Sequence, residues 1–328
     1  MEKIALIMGE SARNLVIGQR SLDRLAGIGE VVLGTGSDRD SVKKAISGAT
    51  IAVTTWGNTP LDADILSVCP DLKLVCHAAG SVKPIVCDDM WDRGIRVTAS
   101  AAMLSMGVSE TALGFTIAAS KNFFALNENL HRGGWAEGKE NIRELYELTV
   151  GVVGGGWAGR HYIELMKAFD VDILLYDPFV TEEKCAEMGC RKAEFRELLE
   201  KSDIISIHAP SIPETYHMFS ADTLPLMKKD AVLINTARGS IIDEKALYDH
   251  MSAGNLKYAC LDVYDPEPPA VDSPLRTLPN VIMTPHLAGL ASNGLKKIGQ
   301  QVCEEIERFL AGKEMMCEVT RDMLARMA

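Results

Sequence analysis

The stretch GVVGGGWAG, residues 151–159, sets Gly154, Gly156 and Gly159 in the spacing G-x-G-x-x-G. Such a match is weak alone, and its surroundings decide the reading. The apolar run LTVGVV (148–153) precedes it and the amphipathic run HYIELMKAF (161–169) follows it. Strand, tight turn and helix is the context in which these glycines cradle a phosphate. The first permits the turn, the second lets a pyrophosphate approach the backbone, and the third lets helix and strand pack closely. Free N–H groups at the helix start then face the anion. Asp177 ends the next apolar run, DILLYD (172–177), where a carboxylate accepts hydrogen bonds from ribose hydroxyls and repels a 2′-phosphate. Pro178 and Phe179 follow it and offer no cation. We therefore expect NAD rather than NADP. The competing reading is a glycine turn in an α/β domain with no ligand.

Outward from this stretch the chain alternates strand and helix in both directions. Before it lie the apolar runs 3–8, 29–34, 50–56, 72–79 and 94–100, with helix-like segments at 19–27, 38–47, 62–68 and 84–93. After it come 172–177, 203–209, 231–237, 257–264 and 280–286, with helices expected at 157–169, 181–188, 194–201, 243–253 and 291–310. Such alternation implies parallel sheets covered by helices on both faces. A long low-charge helix is expected from about 107 to 130, and the loop 131–141 reads as a boundary or arm. Val97–Ser120 carries one charge, Glu110, and could be mistaken for a membrane span; we read it as a strand end followed by a core helix.

The 328 residues suggest two domains at about 100–200 residues each. Hydrophobic residues make up 47% and charged residues 24%, which excludes disordered and fibrous classes. Asp and Glu outnumber Lys and Arg by 45 to 34, for a net charge of −11. That surface repels phosphate backbones and anionic lipid, so neither nucleic acid nor membrane is expected as a partner. The eight cysteines include no CxxC pair; Cys76 and Cys260 fall in strand-like runs and read as small buried hydrophobes. A reducing cytoplasm fits this usage. The apolar run of MEKIALIMGES is too short for a signal peptide. No two His or Cys share a chelating spacing, so no metal is expected.

Three segments carry reactive side chains just after apolar runs. INTARGSIID holds Arg238, LDVYDPEPP holds Asp262 and Glu267, and TPHLAG holds His286. Ligands of a doubly wound sheet bind beyond the carboxyl ends of its strands, so these groups should converge. A guanidinium fork suits a carboxylate, and an imidazole gives and takes a proton near neutrality. A neighbouring carboxylate stabilises the imidazolium. Together they can bind a 2-oxo acid, polarise its carbonyl and deliver a proton. Each also has a plain alternative: a strand-capping arginine, a solvated turn glutamate, a satisfied core histidine.

With these motifs in view, nearly the whole chain resembles the D-isomer-specific 2-hydroxyacid dehydrogenases, which include phosphoglycerate dehydrogenase, glycerate dehydrogenase and hydroxypyruvate reductase. The resemblance rests on G-x-G-x-x-G then Asp, N-T-A-R-G, the D-V-x-x-x-E-P run and T-P-H. It implies an α/β fold of two doubly wound parallel-sheet domains with the active site in the cleft between them. A flavodoxin-like substrate-binding domain would comprise 1–101 plus 289–328, and a Rossmann NAD domain 102–288. It further implies that Arg238 binds the substrate carboxylate and carbonyl, His286 is the general acid/base, Glu267 pairs with it, and Asp262 holds the nicotinamide amide. Trp157 and Ala158 would give backbone N–H groups to the pyrophosphate. Pro210, Thr215, Thr236, Ala237, Ala288 and Gly289 would line the cofactor. A homodimer through the NAD domain and no C-terminal regulatory domain are also implied.

The glycine loop that binds substrate carboxylate in this family corresponds to HAAGSVKPI (77–85), placing Ala79, Gly80 and Ser81 at the substrate. Lys83 stands where the family commonly has Asp, and reads as a solvated stem or an added cation. Trp56, in TTWGNTP (54–60), replaces a small or basic residue and reads either as a substrate platform or as surface packing. His77 and His208 lie near strand ends and read as backbone-bonding histidines. The expected activity is NAD-dependent interconversion of a D-2-hydroxy acid and its 2-oxo acid, as a reductase of the hydroxypyruvate, glyoxylate or sugar-acid type. The alternative is a non-enzymatic NAD(H)-sensing, corepressor-like binding protein on the same scaffold.

Overall fold

A computed structural model describes residues 2–327. The chain forms two compact units, Met1–Leu104 with Leu290–Ala328, and Ser105–Gly289.

In the first unit, the Val- and Ile-rich runs become β1 (Glu2–Ile7), β2 (Gly29–Gly34), β3 (Ile51–Thr54), β4 (Leu74–His77) and β5 (Arg96–Ala99). They pair in parallel in the order β5-β4-β3-β1-β2. A two-residue strand, Glu318–Val319, adds antiparallel to β5, so this sheet is mixed. Its residues are too few to show alternation in the sequence. Two apolar clusters, one around Ala5, Val75 and Val97 and one around Ile4, Leu74 and Ile298, flank the sheet. Helices start where carboxylates take the free amides: Asp38 accepts from Ser41 N–H, and Asp62 from Ile65 N–H. A helix at Glu10–Val16 went unread because it buries only Val16 and so has no apolar period.

The second unit contains β6 (Thr149–Val153), β7 (Asp172–Tyr176), β8 (Arg191–Lys192), β9 (Ile204–Ile207), β10 (Val232–Asn235), β11 (Tyr258–Leu261) and β12 (Val281–Met283). All pair in parallel, in the order β12-β11-β10-β9-β6-β7-β8. The central strands β9, β10 and β11 are buried along their whole length, which explains their unbroken apolar runs. Each buried Val, Ile or Leu contributes about 1.5–3 kcal/mol. Cys76 and Cys260 are fully buried in the two sheets.

Three elements depart from expectation. The long helix is two, Ala101–Ser120 and Phe123–His131. Asn122 breaks it at φ +57, with its amide donating to Gly138 C=O at 3.0 Å and its oxygen accepting from Tyr258 OH at 2.8 Å. Helix Ala101–Ser120 is long and apolar enough to span a membrane by composition, and 28% of its most apolar window is buried. One face of it packs into the core, where Ala112, Phe115 and Ala119 join the apolar cluster of Val150, Val152 and Tyr162, and Ser105, Ser109 and Thr116 continue the buried stripe. The last helix starts at Lys296, not 291.

Candidate functional site

The register of the second sheet assembles the site. Val153 pairs with Tyr176 and Ile207, Ile207 with Asn235, Asn235 with Leu261, and Leu261 with Met283. One step further along each strand lie Asp177, Gly154, His208, Thr236, Asp262 and Thr284. These six form one row along the carboxyl edge. Backbone bonds carry the ladder into the row: Gly154 N–H donates to Tyr176 C=O, His208 N–H to Val153 C=O, and Asp262 N–H to Asn235 C=O.

At one end stands the glycine turn. Gly154 has φ +101, and a Cβ there would sit 2.7 Å from the His208 carbonyl. A Cβ at Gly159 would sit 2.0 Å from the carbonyl oxygen of Gly154, so helix Trp157–Met166 can approach only because glycine is present. A Cβ at Gly156, the N-cap of that ten-residue helix, would meet nothing within 4 Å. Open space before unpaired helix amides suits a pyrophosphate. Asp177 borders it, accepting from Gly155 N–H at 2.7 Å and Phe179 N–H at 2.8 Å with lone pairs to spare. Trp157 is exposed, and the Ala158 carbonyl accepts from Ser109 OH at 2.9 Å. These residues fit a dinucleotide.

At the other end, Nδ1 of His286 meets Oε2 of Glu267 at 2.7 Å. Oε1 of Glu267 accepts from Tyr264 N–H at 3.0 Å, which fixes the carboxylate. Arg238 is half-buried; burial lowers its pKa, and the field of Glu267 opposes that. One arm of its guanidinium donates to Ala237 C=O at 2.7 Å. Arg238, Glu267 and His286 are thus brought together. Asp262 is fully buried and accepts from Thr284 OH at 2.5 Å, Leu287 N–H at 2.9 Å and Ala288 N–H at 2.8 Å.

Thr236 is buried, and its hydroxyl has no hydrogen-bond partner among the described residues, whereas the Thr215 hydroxyl is taken up in its own loop, donating to Pro210 C=O at 2.6 Å. Ala237 N–H donates to the side chain of Asn235 at 3.0 Å, and Gly289 lies close to Gly107. Asn235 was missed in the sequence: fully buried, it also donates to Arg238 C=O at 2.9 Å, holding both ends of the turn that carries the guanidinium. An Asn closing an apolar run three residues before an Arg was the available signal.

In the first unit, Trp56 is 44% exposed, and Ala79 is buried with its carbonyl accepting from Ser100 N–H. Gly80 and Ser81 follow it. His77 bonds Thr54 Oγ1 at 2.9 Å and the backbone of Ser81, and burial pushes its pKa down to about 4. Lys83 is exposed, and its ammonium donates to Met327 C=O at 2.5 Å. His208 bonds a side chain, Ser206 at 2.9 Å, rather than backbone. No group of three or more possible metal ligands occurs among the described residues.

Residues 113–288 match the family profile described as D-isomer specific 2-hydroxyacid dehydrogenase, NAD binding domain. The chain is 35% identical over 287 residues to a D-3-phosphoglycerate dehydrogenase of Methanocaldococcus jannaschii, covering 87% of this chain and 54% of that protein. The chain thus spans about half the length of the first curated relatives it matches. It is 32% identical over 258 residues to a glyoxylate reductase of Korarchaeum cryptofilum, covering 77% and 78% of the two. A phosphoglycerate oxidoreductase from Rhizobium etli, 23% identical, shares the fold with a TM-score of 0.85, covering 98% of this chain and 99% of that one.

Proposed function

Because the chain belongs to the D-isomer specific 2-hydroxyacid dehydrogenase family, we propose that it interconverts a D-2-hydroxy acid and its 2-oxo acid with NAD, working as a reductase on small acids of the hydroxypyruvate, glyoxylate or sugar-acid type. The observation that carries this reading is the 2.7 Å bond between His286 and Glu267, with Arg238 in the field of the same carboxylate.

Arg238 binds the substrate carboxylate and polarises the adjoining carbonyl with the guanidinium donors not given to Ala237. His286, held through Nδ1, presents Nε2 to the carbonyl oxygen, donating a proton in reduction and accepting one in oxidation. Glu267 stabilises the imidazolium and fixes the ring. The nicotinamide, when bound, supplies or takes the hydride. Gly154, Gly156 and Gly159, with the amides of Trp157 and Ala158, hold the pyrophosphate, and Asp177 takes the ribose hydroxyls. Pro210, Thr215, Thr236, Ala237, Asp262, Ala288 and Gly289 line the rest of the cofactor. We assign NAD binding to 102–288 and substrate binding to 1–101 plus 289–328, where Trp56, Ala79, Gly80 and Ser81 receive the acid.

A cytoplasmic homodimer completes the reading. All eight cysteines are free. Phe123, Leu130, Trp135, Ile142 and Tyr146 of the second unit are large and exposed, which favours a protein partner over water.

Absorbance of NADH, followed with glyoxylate, hydroxypyruvate and 2-oxo sugar acids, tests the activity. One of them should consume NADH rapidly. His286→Ala should lose at least about 100-fold in kcat while its NADH titration stays unchanged. A chain that binds NADH and turns over none of these acids would overturn the reading in favour of a non-catalytic binding protein.

A further inference from the structure

The loop that carries Glu267 has few amides with which to hold itself. Three of the five residues 265–269 are prolines, so only Asp265 and Glu267 have an N–H to donate. The Asp265 N–H goes to Oε1 of Glu244 at 3.0 Å. Glu244 stands 21 residues earlier, at the first position of helix Glu244–Ser252, and is half-buried. The helix does not need it as a cap, because the Asp243 side chain takes the amides of Lys245 and Ala246. The Glu244 carboxylate is therefore free to reach across to the loop.

What it holds adjoins the reacting groups. The residue before Asp265 is Tyr264, whose N–H donates to Oε1 of Glu267 at 3.0 Å, leaving Oε2 to meet Nδ1 of His286 at 2.7 Å. The Tyr264 hydroxyl donates toward the carbonyls of Leu261 and Thr284, both at 2.9 Å. Its own carbonyl lies against the turn of Arg238, where a Cβ on Gly239 would sit 1.9 Å from the carbonyl carbon. Tyr264 C=O and Asp265 N–H belong to one planar peptide unit. Gly239 bounds that unit on its carbonyl side and Glu244 holds it by its N–H. On the far side of Glu267, Arg276 donates to the carbonyls of Ala270 and Pro269 at 3.0 and 3.1 Å, but this guanidinium is exposed and water can replace it. A half-buried bond to a carboxylate is the stronger hold.

We propose that Glu244 is a positioning residue for proton transfer: its carboxylate fixes the Tyr264–Asp265 peptide, and that peptide sets Glu267 against His286. The inference rests on the roles given above to Glu267 and His286. Glu244 acts through the loop and not on the reacting atoms. What it controls is which nitrogen of His286 carries the proton. An ionised carboxylate only accepts, so Glu267 in place keeps the proton on Nδ1 and leaves Nε2 for the substrate.

Three substitutions separate this role from a structural one. Glu244→Gln keeps an oxygen for the Asp265 N–H and removes the charge. Glu244→Leu removes both at similar size, and Glu244→Ala, which favours the helix, repeats the test if the leucine variant does not fold. Relative to wild type, the Leu or Ala variant should lose about tenfold in kcat, the worth of one hydrogen bond, with the NADH dissociation constant within about twofold, and Glu244→Gln should stay within about threefold in both. A wild-type rate in the Leu or Ala variant, or a Gln variant as slow as they are, overturns the proposal. Nitrogen-15 spectra of His286 give a readout that a merely structural role would not move. The neutral ring should carry its proton on Nδ1 in the wild type and in Glu244→Gln, and share it between both nitrogens in the Leu or Ala variant. A ring that stays protonated on Nδ1 without the Glu244 carboxylate overturns the proposal. So does an Asp265 N–H that exchanges freely with solvent in the wild type. Absence of turnover in the wild type would refute the proposed reaction, a separate result. The ring spectra and the Asp265 exchange need no substrate and would still decide the place of Glu244.

Discussion

Asp262 commits both carboxylate oxygens to the segment that carries His286. Its carbonyl accepts the His286 N–H at 2.9 Å, and its side chain takes the amides of the next two residues. His286 itself sits at φ +50, a left-handed conformation that a side chain adopts only when its surroundings impose it. Asp262→Asn turns one acceptor into a donor facing N–H and O–H groups, at a cost of about 1–3 kcal/mol. The expected outcome is amide exchange at Leu287 and Ala288 at least about tenfold faster, together with a lower kcat. Unchanged exchange would show that the carboxylate does not order this segment. Gly239 poses a steric case: a Cβ there would lie 1.9 Å from the Tyr264 carbonyl carbon. Gly239→Ala must displace the turn carrying Arg238, so KM for the 2-oxo acid should rise more than the NADH dissociation constant. Asp177→Ala should narrow the preference for NADH over NADPH; an unchanged ratio would remove Asp177 from the ribose.

The elements were legible where burial imposes a period. Apolar runs located every strand longer than two residues, because a central parallel strand is apolar throughout. The expected helices at 38–47, 62–68 and 243–253 are each capped by their first residue, Asp38, Asp62 and Asp243. The break at Asn122 was not legible. It depends on Gly138 and Tyr258, which are far along the chain, and on a residue type that tolerates positive φ. Asn122→Ala should cost about 2–4 kcal/mol from two hydrogen bonds and the strained backbone. Asn122→Gly keeps the backbone freedom and should cost less. Urea denaturation of the two variants checks that order.

For the molecule as a whole, buried histidines set a pH dependence in each unit. His77 in one and His208 in the other are held neutral, with pKa values pushed down to about 4 and about 3. Unfolding returns each to the ordinary value of 6.5, so below that pH the unfolded chain binds protons the folded chain excludes. Stability is therefore full above 6.5 and declines as pH falls toward the folded values. Each histidine contributes a loss of about 2 kcal/mol between pH 6.5 and about pH 5, at 1.36 kcal/mol per unit. Urea midpoints at the two pH values measure it, and equal midpoints would contradict the buried neutral state. Charge and composition in the sequence indicate none of this, since it arises from desolvation. The same division holds at the site. The glycine turn and the His286–Glu267 pair were readable because each sits in a short string at a strand end. The contacts of Tyr162 with Thr116 and of Lys83 with Met327 were not, because they join residues distant in the chain.

The carboxyl-edge row also governs how the chain tolerates changes in length. Each residue of a parallel strand advances about 3.3 Å and reverses the face of its side chain. One codon gained or lost within β6, β9, β10 or β11 would shift a single member of the row out of line and turn it to the opposite face, while its neighbours stayed in place. The loops leading into the amino ends of these strands absorb such changes without disturbing the row. Insertions should therefore survive selection on that side of the sheet and be eliminated from the strands, a pattern that a scanning library of single-codon insertions would map directly.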